Sequence, residues 1–385
     1  MTPLAGLKVI ELARILAGPW IGQSLADLGA EVVKVESPDG DDTRKWGPPF
    51  IEREGDKTAA YYYSANRGKD CVTADFRTEE GKQLVIELIR DADILIENFK
   101  VGGLQKYGLD YDSLAQINPR LIYCSVTGFG QDGPYAKRPG YDFLLQGMSG
   151  LMSITGAQDG QPQKVGVAIT DIVTGLYGTI GILAAVEQRH TTGRGQHLDM
   201  SLMDCATAVL ANQAMNYLAT GDSPVRLGND HPNIAPYQVM AVKDGHVILA
   251  VGNDGQFQRL CDVLGLAEAK ADARFQTNQS RVASRKALTA VLEDVLAAWT
   301  QSDLLAALEA ATVPAGPINT IGQAFEDPQI QHRGMQIAPE GVPGVRGPWK
   351  FSDAELALEK SAPKPPAPSP QPGSAADPVR SVLKA

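Results

Sequence analysis

Short apolar runs alternate with amphipathic stretches through the first third of the chain, and this limits its fold more than any other feature. LKVIEL (7–12), AEVVKVE (30–36), CVTADF (71–76), DILIEN (93–98) and RLIYCSVTG (120–128) read as strands. WIGQSLADLG (20–29), EEGKQLVIELIRDA (79–92) and 103–117 between them carry helical spacing. Strands buried on both faces lose the apolar–polar alternation of a half-exposed sheet, as these do. The pattern predicts βαβ units, hence an α/β fold with a mainly parallel, Rossmann-like sheet covered on both faces. Ligands of such sheets bind beyond the carboxyl ends of the strands, so chemistry is sought just after each apolar run.

Beyond residue 170 the pattern changes. IVTGLYGTIGILAAVEQ and SLMDCATAVLANQAMNYLA read as long Ala- and Gly-rich helices joined by TTGRGQHLD. PYQVMAVKDGHVILAVG reads as a hairpin turning at Lys243-Asp244-Gly245, with helical segments at 255–264, 285–298 and 302–311. The expected organisation is a large Rossmann-like domain over 1–205, a linking helix and loop over 206–224, and a smaller α+β domain over 225–325. A return to the large domain over 326–360 and a tail over 361–385 follow. The tail's proline-rich composition offers too little apolar surface to offset ordering entropy, and it is expected to be extended.

A net charge of −10 argues against nucleic acid or an anionic membrane as the main partner, so any anion must be held by a local basic pocket. The apolar stretch 172–186 is interrupted by Thr and Gly and is short for a bilayer span. Four scattered cysteines without CxxC spacing give no metal or redox motif and are expected to be buried free thiols. MTPLAGLKVIEL runs straight into a strand with no signal-peptide pattern, so a reducing cytoplasm is the expected compartment.

Gly128, Gly130 and Gly133 make a GxGxxG pattern after a strand, but Pro134 follows and no helix opens there, which argues against a dinucleotide site. No GxSxG elbow occurs, and the five histidines have no metal-ligand spacing; His231 in the polar NDHPN loop could face a site, whereas His246 reads as structural. Basic residues recur near strand ends: Arg14, Lys34, Arg44, Lys45, Arg67, Lys69, Lys100, Lys106, Lys137 and Arg138. Each alone reads as a solvated charge; together they suggest a nucleotide diphosphate or coenzyme A (CoA). Asp171 stands in the apolar VGVAITDIVTGLYG. On pattern alone it is a helix N-cap, and the helix dipole would keep it ionised, as a carboxylate nucleophile requires.

These stretches, taken in order, resemble the family III CoA-transferases, the group that includes formyl-CoA transferase and carnitine CoA-transferase. The likeness covers 4–355 and rests on LAGPW (16–20), LADLGAEVVKVE (25–36), GDDTRKWGPPF (40–50) and NRGKD (66–70). ENF (97–99), RPGYD (138–142), SGLMSITG (149–156), TDIVTGLYG (170–178) and PAGPINT (314–320) extend it. The resemblance implies that Asp171 is the nucleophile, forming a mixed anhydride and then an aspartyl–CoA thioester, with no metal or permanently bound cofactor and a CoA thioester as substrate. It implies CoA contacts at Arg14, Ala17, Lys69, Asn98, Phe99, Lys106 and Tyr141. Ser37 stands where some relatives carry Arg, with Arg44 as substitute. It also implies a glycine loop over the site, GNDGQ at 252–256 with Gly252 and Gly255, and an interlocked homodimer.

Racemases of similar sequence carry His in a GHD motif; here the residue is Tyr141, and a phenol is a poor base near neutral pH. A racemase and a non-catalytic CoA-binding protein are therefore the alternatives to acyl transfer. GDDTRKWGPPF and GYDFLLQGMSGLMSITG most resemble members acting on dicarboxylates, of the succinate–hydroxymethylglutarate type. Succinyl-CoA is the implied donor and glutarate, itaconate or a related diacid the acceptor, with Arg44 or Arg138 facing the second carboxylate.

Overall fold

The computed structural model describes residues 1–365. Six parallel strands form the central sheet: β1 (Lys8–Glu11), β2 (Glu31–Glu36), β3 (Asp70–Thr73), β4 (Ile94–Glu97), β5 (Ile122–Thr127) and β6 (His197–Ser201). Their spatial order is β3-β2-β1-β4-β5-β6, every neighbouring pair parallel. This is the doubly wound order, whose direction of winding reverses between β1 and β4.

Successive residues of each strand face opposite layers, and both layers are apolar. Val9, Ile94, Ile122 and Val126 pack against α1 (Ala17–Asp27) through Ile21 and Leu25. Ile10, Leu95 and Tyr123 face α2 (Glu79–Arg90) and α3 (Tyr111–Ile117) through Val85, Ile89 and Leu114. Helix α2 starts where Thr78 accepts the Gly81 N–H, with Glu79 and Glu80 in its positive first turn. The 103–117 segment is not one helix. A single 3-10 turn, Gln105–Tyr107, ends at Gly108 in the left-handed region, and α3 restarts behind the Asp110 cap.

Two further helices complete the layer over α1. They are α4 (Asp142–Met148) and α5 (Ile169–Thr192), the latter 24 residues long. By length and composition α5 could cross a membrane, so the 172–186 stretch is only its middle. Here it lies on α1: a Cβ on Gly175 would fall 2.8 Å from the Trp20 ring and one on Gly178 2.5 Å from Ile21. These two glycines let the helix backbones approach. The expected helix through 201–219 is broken into α6 (Leu202–Ala208) and α7 (Ala211–Thr220), where Ala211 takes a positive φ of 45°.

A second compact unit comprises Met152–Lys164 and Asn216–Asp327. It takes in 152–164, a stretch the sequence pattern places inside the first domain. Strands β7 (Tyr237–Val242) and β8 (Gly245–Ala250) form the hairpin, and β9 (Ala315–Pro317) joins β8 antiparallel. Its core is built from Val247 and Leu249 with Phe257 and Leu260 of α8 (Asp254–Leu264), Leu288 and Leu292 of α9 (Arg285–Leu296), and Leu304 and Leu308 of α10 (Gln301–Ala310).

Residues 361–365 of the expected tail have no regular structure but are tied to the large unit. Arg53 reaches Ser361 Oγ, Arg44 donates to the Pro363 carbonyl, and Lys364 pairs with Glu54. The remainder of that tail, 366–385, lies outside the described residues.

Candidate active site

The β1–β4 boundary is where an open α/β sheet offers a crevice, because the loops leaving the two strands turn to opposite faces. Asn98, just after β4, clamps the loop after β1: its Oδ1 accepts the Arg14 N–H at 2.9 Å and its Nδ2 donates to the Arg14 carbonyl at 2.7 Å. Next to that clamp Ile15 has φ 74°, a costly conformation for a β-branched residue, and such strain tends to collect at ligand-binding loops. Helix α1 then opens at Ala17 with no side-chain cap on Leu16 and no acidic residue in its first turn. Its unsatisfied N–H groups and positive dipole end favour an anion there.

Asp171 lies on α5, one turn before the Gly175 contact with Trp20 of α1. It is the third residue of the helix, not its cap: Ala168 holds the cap position and offers no side-chain oxygen. The capping work falls to Asp142, at the start of α4. One carboxylate oxygen of Asp142 accepts the Thr170 N–H at 2.8 Å, and the other accepts Gln146 Nε2 at 2.8 Å. Gln146 Oε1 in turn accepts the Val165 N–H, fixing the chain that leads into α5.

The expectation that Asp171 stays fully ionised is also corrected. Burial first, and the Asp142 carboxylate second, raise its pKa to about 7. The same negative field, with Asp41 added, acts on the half-buried Tyr61, whose phenol is pushed up to about 12 chiefly by burial. Tyr61 packs edge-on against Trp46 at 5.3 Å. A partly desolvated carboxylate that is still ionised in good part at neutral pH is a competent nucleophile. A protonated phenol beside it can donate a hydrogen bond.

Other expected site residues separate into two groups. Ala17 is buried at the start of α1, and Asn98 holds Arg14 in the loop that leads into it. Phe99 packs edge-on to Phe76 at 5.5 Å. Arg14 is half exposed and pairs with Asp42 at 3.1 Å. Lys106 lies 4.7 Å from the Tyr107 ring, Arg138 4.5 Å from that of Tyr135, and both are exposed. Tyr141, 66% exposed, caps α4 only by its backbone position.

Lys69 and Arg44, by contrast, are not free cations. Lys69 is fully buried and its Nζ is shared among Glu11, the Pro19 and Ala65 carbonyls and Asn66 Oδ1, at 2.8–3.0 Å. Burial brings its pKa down to about 8. Arg44 grips Glu36 with two nitrogens at 2.8 and 2.9 Å and donates to Tyr62 Oη at 2.7 Å. Arg44 cannot meet a phosphate or a second carboxylate without stranding the buried Glu36, and Lys69 cannot without leaving Glu11 to Lys34 alone and three further acceptors unpaired.

Gly252 and Gly255 belong to the second unit. They lie at the start of α8, where Asn253 is the N-cap and the Gly252 N–H is taken by Gln256 Oε1 at 2.7 Å. His231, also in that unit, stacks at an angle on Tyr237 at 5.2 Å.

The model of CoA-transferase family III matches residues 4–367. The chain belongs to that family. As a family III CoA-transferase, it is 55% identical over 370 residues to a succinate–glutarate CoA-transferase of Agrobacterium fabrum, covering 94% of this chain and 92% of the relative. A human succinyl-CoA:glutarate CoA-transferase is 40% identical, with 91% and 82% covered. A solved CAIB/BAIF family protein from Brucella suis superposes with a TM-score of 0.86 at 62% identity, covering 94% and 96%. The family III CoA-transferase is thus an enzyme whose fold places Asp171, Asn98 and the α1 N-terminus in its large unit. Tyr61 and Asp142 escape a reading by residue type. Both act on or feel the Asp171 charge although they lie far from it in sequence.

Proposed function

We propose that this enzyme moves CoA from succinyl-CoA to a dicarboxylic acid, glutarate before others, through covalent chemistry on Asp171. The observation that carries the mechanism is a half-buried carboxylate on the first turn of α5, one turn before Gly175, where that helix packs on Trp20 of α1. The names of the relatives from Agrobacterium fabrum and human support the substrate pair. In the first step an Asp171 oxygen attacks the thioester carbonyl, forming a mixed anhydride and releasing CoA thiolate. The thiolate then attacks the aspartyl carbonyl, expelling succinate and leaving an aspartyl–CoA thioester. Glutarate attacks that thioester to form a second anhydride and free the thiolate. Attack of the thiolate on the glutaryl carbonyl yields glutaryl-CoA and restores Asp171. Charge moves but nothing is oxidised, and Tyr61, whose phenol feels the Asp171 charge, is assigned to donate toward the developing oxyanion.

Phosphates of CoA are assigned to the α1 N-terminus with Arg14 and Lys106, and the pantetheine to Asn98 and Phe99. Arg138, which keeps no ion pair among the described residues, is assigned to the far carboxylate of the diacid. An interlocked homodimer is supported by apolar side chains that one chain leaves exposed on α5 and α7: Ile180 at 61%, Met215 at 61% and Leu218 at 71%. A reducing, cytoplasmic compartment agrees with four unpaired thiols.

The test is a panel of free acids offered with succinyl-CoA, with product thioesters read by mass spectrometry. Glutarate should yield glutaryl-CoA and stoichiometric succinate. Transfer to monocarboxylates alone would contradict the diacid assignment.

A further inference from the structure

Beneath the turn that carries Asn98 and Phe99 lies an open cavity of about 240 Å³, on the α2–α3 side of the sheet. Its lining includes Glu97 of β4 and Ser125 of β5, opposite each other in register, and Asp199 of β6 is the next partner of Ser125 across the sheet. Glu97 is only 5% exposed. One of its oxygens accepts the Phe99 N–H at 2.7 Å, and Ser125 stands opposite it in register, its hydroxyl favouring the ionised carboxylate. Ser125 Oγ also lies 2.9 Å from His197 Nε2. His197 stands at the rim, stacked on Tyr111 at 5.1 Å and edge-on to Tyr123 at 5.3 Å.

We propose that Glu97 is a positioning residue for the CoA-binding turn, and that Glu97, Ser125 and His197 form a proton-linked chain that sets how firmly the turn is held. This rests on the reading that Asn98 and Phe99 meet CoA. The chain is fully bonded in two ways. With Glu97 ionised, His197 Nε2–H donates to Ser125 and Ser125 donates to the carboxylate. With Glu97 neutral, its O–H donates to Ser125, whose hydroxyl donates to an unprotonated Nε2. One proton on Glu97 thus reverses both bonds and switches the imidazole tautomer. No oxygen is stranded in either state, so the switch is cheap.

The two states differ at Phe99. A carboxylate makes a charge-assisted bond to its N–H, and a neutral acid makes a weaker one. Groups facing Glu97 are Asp199 and His197 from β6, and Tyr123 from β5, whose hydroxyl donates to the Leu109 carbonyl. Asp110, Tyr111 and Asp112 face it from the start of α3, and Lys100 from the loop. Burial and the Asp199 charge both favour the neutral acid, and they place its pKa at about 7. Above that value the turn is held tightly, and below it loosens.

The experiment compares wild type with Glu97→Gln, whose amide keeps an acceptor for Phe99 and a donor for Ser125 and so mimics the neutral state. The Kd of free CoA and the KM for succinyl-CoA are measured from pH 6 to 8.5, and the His197 tautomer is followed by ¹⁵N NMR. Wild type should weaken about fivefold toward pH 6, as loss of a charge-assisted bond implies, with the tautomer switching over the same range. Glu97→Gln should hold the low-pH affinity and one tautomer throughout. Unchanged affinity and pH profile in Glu97→Gln would overturn the proposal. Ser125→Ala decides if that variant does not fold: it should raise the midpoint for CoA affinity and uncouple His197, and an unmoved midpoint overturns the chain. If wild type binds no CoA while the tautomer still switches, the CoA assignment of the turn has failed rather than the proton chain.

Discussion

At Asp171 three local effects compete, and their sizes decide its state. The dipole of α5 favours the anion by about 2 kcal/mol at most. Burial and the neighbouring Asp142 oppose it, and a rise from 3.8 to about 7 corresponds to roughly 4 kcal/mol. The neutral acid therefore dominates below pH 7. Since only the anion attacks, kcat should climb as pH rises through about 7 and then level. Asp142→Asn removes the second cause and leaves the first, so the midpoint should move down by less than about one pH unit in a kcat–pH profile. Lys69 supplies the contrasting case. Lys69→Met takes a cation from the buried Glu11 and should cost about 3–5 kcal/mol in denaturant unfolding, with no selective rise in the KM for CoA. Residue type alone marks Lys69 and Arg44 as phosphate-binding candidates equal to Lys106. The partners that bury them, Glu11 and Glu36, become visible only when β1, β2 and β3 lie side by side.

Among the elements, β1 to β5 were legible because their runs are apolar on both faces. Strand β6 was not, since His197 and Asp199 leave an alternating, half-exposed pattern inside what reads as a helix-to-helix link. The start of α5 was also hidden. Gly166 to Ala168 precede it with no capping side chain, so Asp171 read as the cap of a helix thought to begin later. Packing of α5 on α1 depends on Gly175, one turn beyond Asp171. Gly175→Ala would set a methyl 2.8 Å from the Trp20 ring. Overpacking of this kind costs about 1–3 kcal/mol. The variant should melt lower and lose kcat more than KM, because the shift moves Asp171's own turn relative to the crevice.

The whole molecule is acidic at −10, yet the exposed cations assigned to CoA and diacid, Arg14, Lys106 and Arg138, all belong to the large unit. Global charge argues against polyanionic surfaces as main partners and gives no view of the pocket. The proposed homodimer is assigned to the exposed stripe on α5. Ile180→Asp should leave single-chain packing intact but disrupt the dimer, read as a halved molar mass by light scattering; an unchanged mass of two chains would remove α5 from the interface. The central claim, that Asp171 carries CoA, has a direct test on the intact chain. After incubation with succinyl-CoA and no acceptor, the protein should gain the mass of CoA less one water. Hydroxylamine should convert the adduct to a hydroxamate that peptide mapping places on Asp171, and Asp171→Asn should show neither. An adduct on another residue, or full turnover by Asp171→Ala, would contradict the account.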